Sequence, residues 1–181
     1  SPSRGGPGWG WGETRVLLPI PLPTSPLKGE ECIETQEARV PEIITDDGVR
    51  LNCVIEDYRE PWRGEPPATV LMHHGFMKSL EHWTPFVPAI ARHYRVVRFD
   101  VRGAGKSGVP PAGSAWTADR LVRDALNVVD ALHIEKVHWA GFESAGILGL
   151  MFAADHPERT ASVACFNTPF RSPGSEETMR V

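Results

Sequence analysis

A chain of 181 residues is long enough to bury one proper core, and its net charge of −4 leaves no basic footprint for nucleic acid. No apolar run approaches the ~20 residues that a membrane helix needs; the longest, residues 147–154, reads as a core stripe of a helix. Three cysteines (Cys32, Cys53, Cys165) are odd in number and lack CxxC spacing, which argues against a disulfide framework or zinc site and for a reducing cytoplasm.

Residues 1–29 hold six Pro and six Gly, with Trp9 and Trp11 isolated among glycines. Such a stretch has no periodic face to bury, so residues 1–36 are expected to be a disordered leader and residues 37–181 the folded domain. Pro19, Pro21 and Pro23 break the run 16–22, and no small-residue cleavage site follows, so a signal peptide is not expected. A first residue of Ser rather than Met makes the segment read as a leader or upstream read-through.

From residue 41 the pattern alternates. Segments 41–45 and 49–55 flank Asp46-Asp47-Gly48, a hairpin signal. Residues 68–72 are continuously apolar, as in a strand buried on both faces. Residues 82–93 place Trp83, Phe86, Val87 and Ile90 at helical spacing. A strand at 95–100 follows, then a helix capped by Thr117 and running to Leu132, a strand at 136–140, a helix at 145–155 and a strand at 161–166. A hairpin followed by βαβαβαβ predicts an α/β fold with a mostly parallel sheet and helices on both faces. The ligand crevice of such a sheet lies at the carboxyl ends of its strands.

Residues 103–108 match GxGxxG, and Gly105-Lys106-Ser107 looks like the end of a P-loop. A P-loop needs glycine where Asp100 stands. A dinucleotide site needs a helix to start at the glycines, and Val109-Pro110-Pro111 prevents that. A tight turn is the better account. His73-His74-Gly75-Phe76 ends a strand, where glycine lets a loop turn so that the next N–H points into a cleft, the geometry of an oxyanion hole. A metal there would need further ligands, for which Glu81 and His82 are the nearby candidates.

Gly141-Phe142-Glu143-Ser144-Ala145-Gly146 joins a strand to a helix through small residues, the form of a nucleophile elbow. With small-x-nucleophile-x-small spacing, Gly141 and Ala145 flank Glu143. The rival register makes Ser144 the nucleophile, keeps Gly146 two places on, and puts bulky Phe142 two places before. Sterics favour Glu143, a carboxylate that forms a covalent ester for water to cleave; chemical precedent favours Ser144. Both stay candidates.

These segments in company, with Asp100-Val101-Arg102-Gly103-Ala104-Gly105-Lys106-Ser107 between them and Asp155-His156-Pro157-Glu158-Arg159 after, resemble the α/β-hydrolase superfamily over residues 49–169. The likeness is nearest to its small esterase, enol-lactone hydrolase and haloperoxidase-like branch. It implies an α/β-hydrolase-like fold, C-terminally truncated, with Phe76 giving one oxyanion N–H and Ser144 or Ala145, whichever follows the nucleophile, the other. His74 and Gly75 would border the substrate pocket, and Asp100, Arg102 and Ser107 would shape a loop. It also implies a histidine base and an acid partner placed after the sixth strand. Residues 167–181 contain no histidine, Glu176 and Glu177 have no strand to fix them, and His156 is placed to end a helix. The chain is therefore expected to be the N-terminal portion of a longer hydrolase of esters, lactones or related small acyl substrates, inactive alone. Its expected partner is a small-molecule substrate, with no nucleic acid, membrane, metal or cofactor. The alternatives are a carboxylate-nucleophile hydrolase using Glu143 and a non-catalytic small-ligand-binding protein.

Overall fold

The computed structural model describes residues 42–59 and 67–169. The expected leader at 1–36, Cys32, Glu176 and Glu177 lie outside the described residues.

The hairpin forms where the turn chemistry places it. Strands β1 (Ile43–Ile44) and β2 (Arg50–Leu51) pair antiparallel, and Thr45 Oγ1 organises the turn by donating to Asp47 at 2.6 Å and accepting from the Val49 amide at 2.9 Å. The expected strand at 49–55 is split. At Asn52 the chain leaves the hairpin: its amide donates to Ser107 Oγ at 2.9 Å, its side chain donates to Asp100 at 2.8 Å, and its carbonyl accepts from the Asp100 amide at 2.9 Å. Strand β3 (Cys53–Glu56) then joins the main sheet, antiparallel to β5 (Arg95–Phe99).

The main sheet runs β3-β5-β4-β6-β7, with β4 at Thr69–His73, β6 at Val137–Phe142 and β7 at Thr160–Phe166. Strands β5, β4, β6 and β7 are mutually parallel. All five residues of β4 are buried, which is why Val70, Leu71 and Met72 run apolar between Thr69 and His73. The register sets His73 beside both Phe99 and Gly141, so three carboxyl ends finish level and their loops meet at one rim.

Both faces are covered. Helices α2 (Ala118–Ala131) and α3 (Ser144–Asp155) pack on the Leu71, Val97, Phe99 and Trp139 face, each large side chain contributing about 1.5–3 kcal/mol on burial. The Thr117 hydroxyl caps α2 by accepting from the Arg120 amide at 3.2 Å. The opposite face, Val70, Met72, Val96 and Ala140, is covered by Trp83 and Val87. These do not belong to one helix at 82–93 as the spacing predicted. A 3-10 turn (Leu80–Trp83) is followed by a four-residue helix α1 (Val87–Ile90), and Phe86 points outward, 51% exposed. Pro85 and Pro88 lack the amides a continuous helix needs, and Pro88 is accepted only in the first turn of α1.

The loop after β5 is held by charge. Arg102, 1% exposed, donates to Asp124 of α2 at 2.5 and 2.6 Å and to Asp47 of the hairpin at 2.8 and 2.9 Å. Arg120 pairs with Asp46 and Asp124 beside it. Asp100 accepts from the amides of Leu80 at 2.7 Å and Lys106 at 2.9 Å, and Ser107 Oγ donates to the Asp100 carbonyl at 2.6 Å. Asp100, Arg102 and Ser107 thus shape the loop, as the motif implied.

Candidate active site

Strand β6 ends at Phe142 and α3 begins at Ser144. The single residue between, Glu143, has φ 54° and ψ −123°, a conformation costing about 1–3 kcal/mol for a side chain larger than glycine. The surroundings hold it there. Its amide donates to the Phe166 carbonyl of β7 at 2.8 Å, and its carbonyl accepts from the Gly146 amide at 3.1 Å. Trp139 Nε1 donates to the Ala145 carbonyl at 2.9 Å, drawing the first turn of α3 down onto the strand. Gly141 permits this approach, because a Cβ there would collide with the backbone of Ala145 and Gly146.

The Glu143 carboxylate lies against the loop after β4. A Cβ on Gly75 would stand 2.5 Å from Glu143 Oε2 and 3.0 Å from the Phe142 carbonyl, so this loop comes as close as glycine allows. Lys78 Nζ stands 3.8 Å from Glu143 Oε1, with both side chains about a third exposed, and 5.3 Å from the centre of the Phe142 ring. Ser144 takes the first helical position and is exposed, while Ala145 is fully buried.

Two clefts open at this rim. One, of about 480 Å³, is bounded by Phe76, Glu143, Ser144, Asn167, Thr168 and Pro169. The other, of about 500 Å³, is mostly apolar, with walls from Phe76, Val101, Trp116, Leu121 and Leu148. Phe76 and Ser144 border both. The Trp116 ring lies directly over Gly103. Among the described residues, no helix is long and apolar enough to cross a membrane.

The paired histidines are engaged in structure. His74 Nε2 accepts from the Val101 amide at 3.0 Å, so its proton is on Nδ1, which donates to the Gly75 carbonyl at 2.9 Å. Burial pushes its pKa down, and the neutral ring ties the loop after β4 to the loop after β5. His73 is 2% exposed, and burial lowers its pKa to about 3. His138 Nδ1 pairs with Ser162 Oγ, His82 leans on Phe142 at 4.4 Å, and His156 ends α3. Among the described residues, no hydrogen bond joins a histidine to Glu143 or Ser144.

The α/β-hydrolase fold family profile matches residues 68–180, from β4 onward. The chain belongs to that family. It is 30% identical over 159 residues to bifunctional epoxide hydrolase 2 of Rattus norvegicus, a match covering 87% of this chain and 26% of the rat protein. Solved structures of the same α/β-hydrolase form include a hydrolase from Pseudomonas aeruginosa, 28% identical with a TM-score of 0.65 over 78% of this chain and 50% of that one. Another is the enol-lactonase of Burkholderia xenovorans, 30% identical with a TM-score of 0.61 over 71% of this chain and 47% of that one. The α/β-hydrolase chain described here therefore spans about a quarter of the length of the rat relative and half or less of these solved structures.

Glu143, Ser144, Gly75 and Phe76 meet at one rim of this α/β hydrolase, with His74 just beneath as a tether rather than a pocket wall alone. The sequence alone singles out neither Lys78 nor Trp116 as a site residue, and His73 enters there only as part of the His73-His74-Gly75-Phe76 strand end. Lys78 follows Phe76 by two places in a loop already assigned to the site, which was the available signal; Trp116 reaches the cleft only through the folding of the loop after β5.

Proposed function

We propose that this chain is the nucleophile-bearing portion of a hydrolase for small electrophilic substrates, with Glu143 as the attacking group. The observation that carries the reading is the backbone of Glu143, φ 54° and ψ −123° at the strand-to-helix junction, with its carboxylate facing the Gly75–Phe76 loop. A carboxylate so placed attacks an electrophilic carbon, as in a strained C–O bond: the glutamyl ester forms, the C–O bond breaks, and the leaving oxygen takes up a proton. Water then adds to the ester carbonyl, releasing the alcohol and restoring the carboxylate. The Phe76 and Ser144 amides would stabilise the oxyanion of that second step. The epoxide hydrolase named among the relatives is consistent with such a substrate. The base that activates water is proposed to come from sequence that follows these residues in a longer, cytoplasmic protein.

A second reading is supported by Ser144, which borders both clefts: ester or lactone hydrolysis by its hydroxyl, with the Phe76 and Ala145 amides as oxyanion donors. The enol-lactonase among the solved structures is consistent with it. The deciding experiment is single turnover of styrene oxide and of a small lactone by the longer protein, with mass analysis of the elbow peptide. A covalent adduct on Glu143, abolished in Glu143→Gln and kept in Ser144→Ala, is expected. An adduct on Ser144 would overturn the carboxylate reading, and no adduct with either probe would favour a binding protein.

A further inference from the structure

Trp116 stands one place before Thr117, the cap of α2, and Leu121 is the fourth residue inside that helix. These are the two positions at which apolar side chains commonly pack across a helix start and fix the entry of the chain. A leucine would serve such a staple. Trp116 brings an indole instead, and it stays 59% exposed. The six-membered part of the ring lies over Gly103, where a Cβ would stand 2.8 Å from its Cη2, so glycine leaves the indole the room it occupies. Trp116 and Leu121 both line the mostly apolar cleft, with Leu148 of α3 and Ser144 of the elbow. Phe76 and Met77, 77% and 90% exposed, line it as well. Three large apolar side chains from two loops are thus left open at one cleft beside the elbow, and grouped apolar exposure of that kind marks a binding site.

We propose that Trp116 is a specificity-determining platform on which a planar aromatic group of the substrate stacks. The proposal rests on reading the cleft as the substrate's, and it is independent of whether Glu143 or Ser144 attacks. The volume of about 500 Å³ falls in the range of small-molecule sites. An apolar wall alone favours the more hydrophobic of two ligands, and a saturated ring is more hydrophobic than its aromatic counterpart. An indole face reverses that order, because paired aromatic rings gain from their quadrupoles beyond the area they bury.

The test uses the 181-residue chain labelled with 5-fluorotryptophan, titrated with benzyl alcohol and with cyclohexylmethanol, which share a hydroxyl and differ in the ring. The Trp116 resonance is the one missing from Trp116→Phe. Benzyl alcohol should move that resonance and bind about two- to tenfold more tightly than cyclohexylmethanol. Trp116→Phe should keep this order, whereas Trp116→Leu, which keeps the staple, should lose it. Cyclohexylmethanol binding as tightly as benzyl alcohol or more so, no binding of either ligand, a Trp116 resonance that benzyl alcohol leaves unmoved, or an order unchanged in Trp116→Leu would overturn the assignment. The wild-type order and the resonance decide it even if Trp116→Leu does not fold. Because binding is scored without turnover, failure here is separate from failure of the elbow experiment.

Discussion

Lys78 Nζ stands 3.8 Å from Glu143 Oε1 and 5.3 Å from the centre of the Phe142 ring. One ammonium thus touches two consecutive residues of the elbow from a loop sixty-odd positions earlier. With each partner about a third exposed, solvent screens the pair, and exposed pairs are worth about 0–1 kcal/mol. A double-mutant cycle of Lys78→Met and Glu143→Gln in urea unfolding should give a coupling below about 1 kcal/mol. A larger coupling would mean the pair is desolvated in solution.

Gly75 and Gly141 face different obstacles. A methyl at Gly141 meets the backbone of α3, which cannot swing aside, whereas a methyl at Gly75 meets the Glu143 carboxylate and the Phe142 carbonyl. Overpacking typically costs about 1–3 kcal/mol. Gly75→Ala should fall in that range and be partly rescued by Glu143→Ala, while Gly141→Ala should cost more and show no such rescue. Chemical denaturation of the four variants measures both expectations.

Acid should act in two windows. His73 has a folded pKa near 3 against an ordinary 6.5, so protons bind the unfolded chain first. Stability present above pH 6.5 should fall as the pH drops from 6.5 toward 3. His73→Phe should flatten that limb in a pH series of thermal melts.

The second window belongs to Asp47 and Asp46. Hydrogen bonds from Arg102 and Thr45 hold Asp47 well below its ordinary 3.8, and one from Arg120 lowers Asp46. Lowered folded values mean that the contribution is complete above pH 3.8 and is lost as pH falls through the folded pKa. Asp47→Asn should be less stable than wild type at pH 7, with the gap closing below pH 3.8. A gap that stays constant down to pH 2 would show that the charge contributes nothing.

The isolated 181-residue chain should turn over p-nitrophenyl acetate at the background rate, since no described histidine is bonded to Glu143 or Ser144 and general-base catalysis needs one in reach. Turnover well above background, abolished by Ser144→Ala, would show that another group supplies the base.

Much of this was legible in the sequence for a physical reason. Strands buried on both faces are mostly apolar, as β4 is at Val70, Leu71 and Met72, and the residues between them must carry an amphipathic stripe, as α2 does. The elbow was legible because Gly141 and Ala145 record a close approach of helix to strand. The strand expected at 49–55 was less so: alternation is the same in both sheets, and only the contacts of Asn52 with Asp100 and Ser107 say where the chain changes partner. The helix expected at 82–93 failed because apolar spacing outvoted Pro85 and Pro88. Lys78 is not legible as a site residue because its neighbours, Glu143 and Phe142, come from a distant stretch of chain.

Trp139 touches His73 on one side and Phe152 on the other, and its indole N–H is committed to the Ala145 carbonyl. That places a chromophore inside the hinge between β6 and α3. If the elbow opens while the sheet stays intact, the indole gains water and its emission moves to the red before any change in secondary structure. With the other five of the six tryptophans replaced by phenylalanine, the molecule would carry its own optical gauge of whether Glu143 is still held in its twisted conformation.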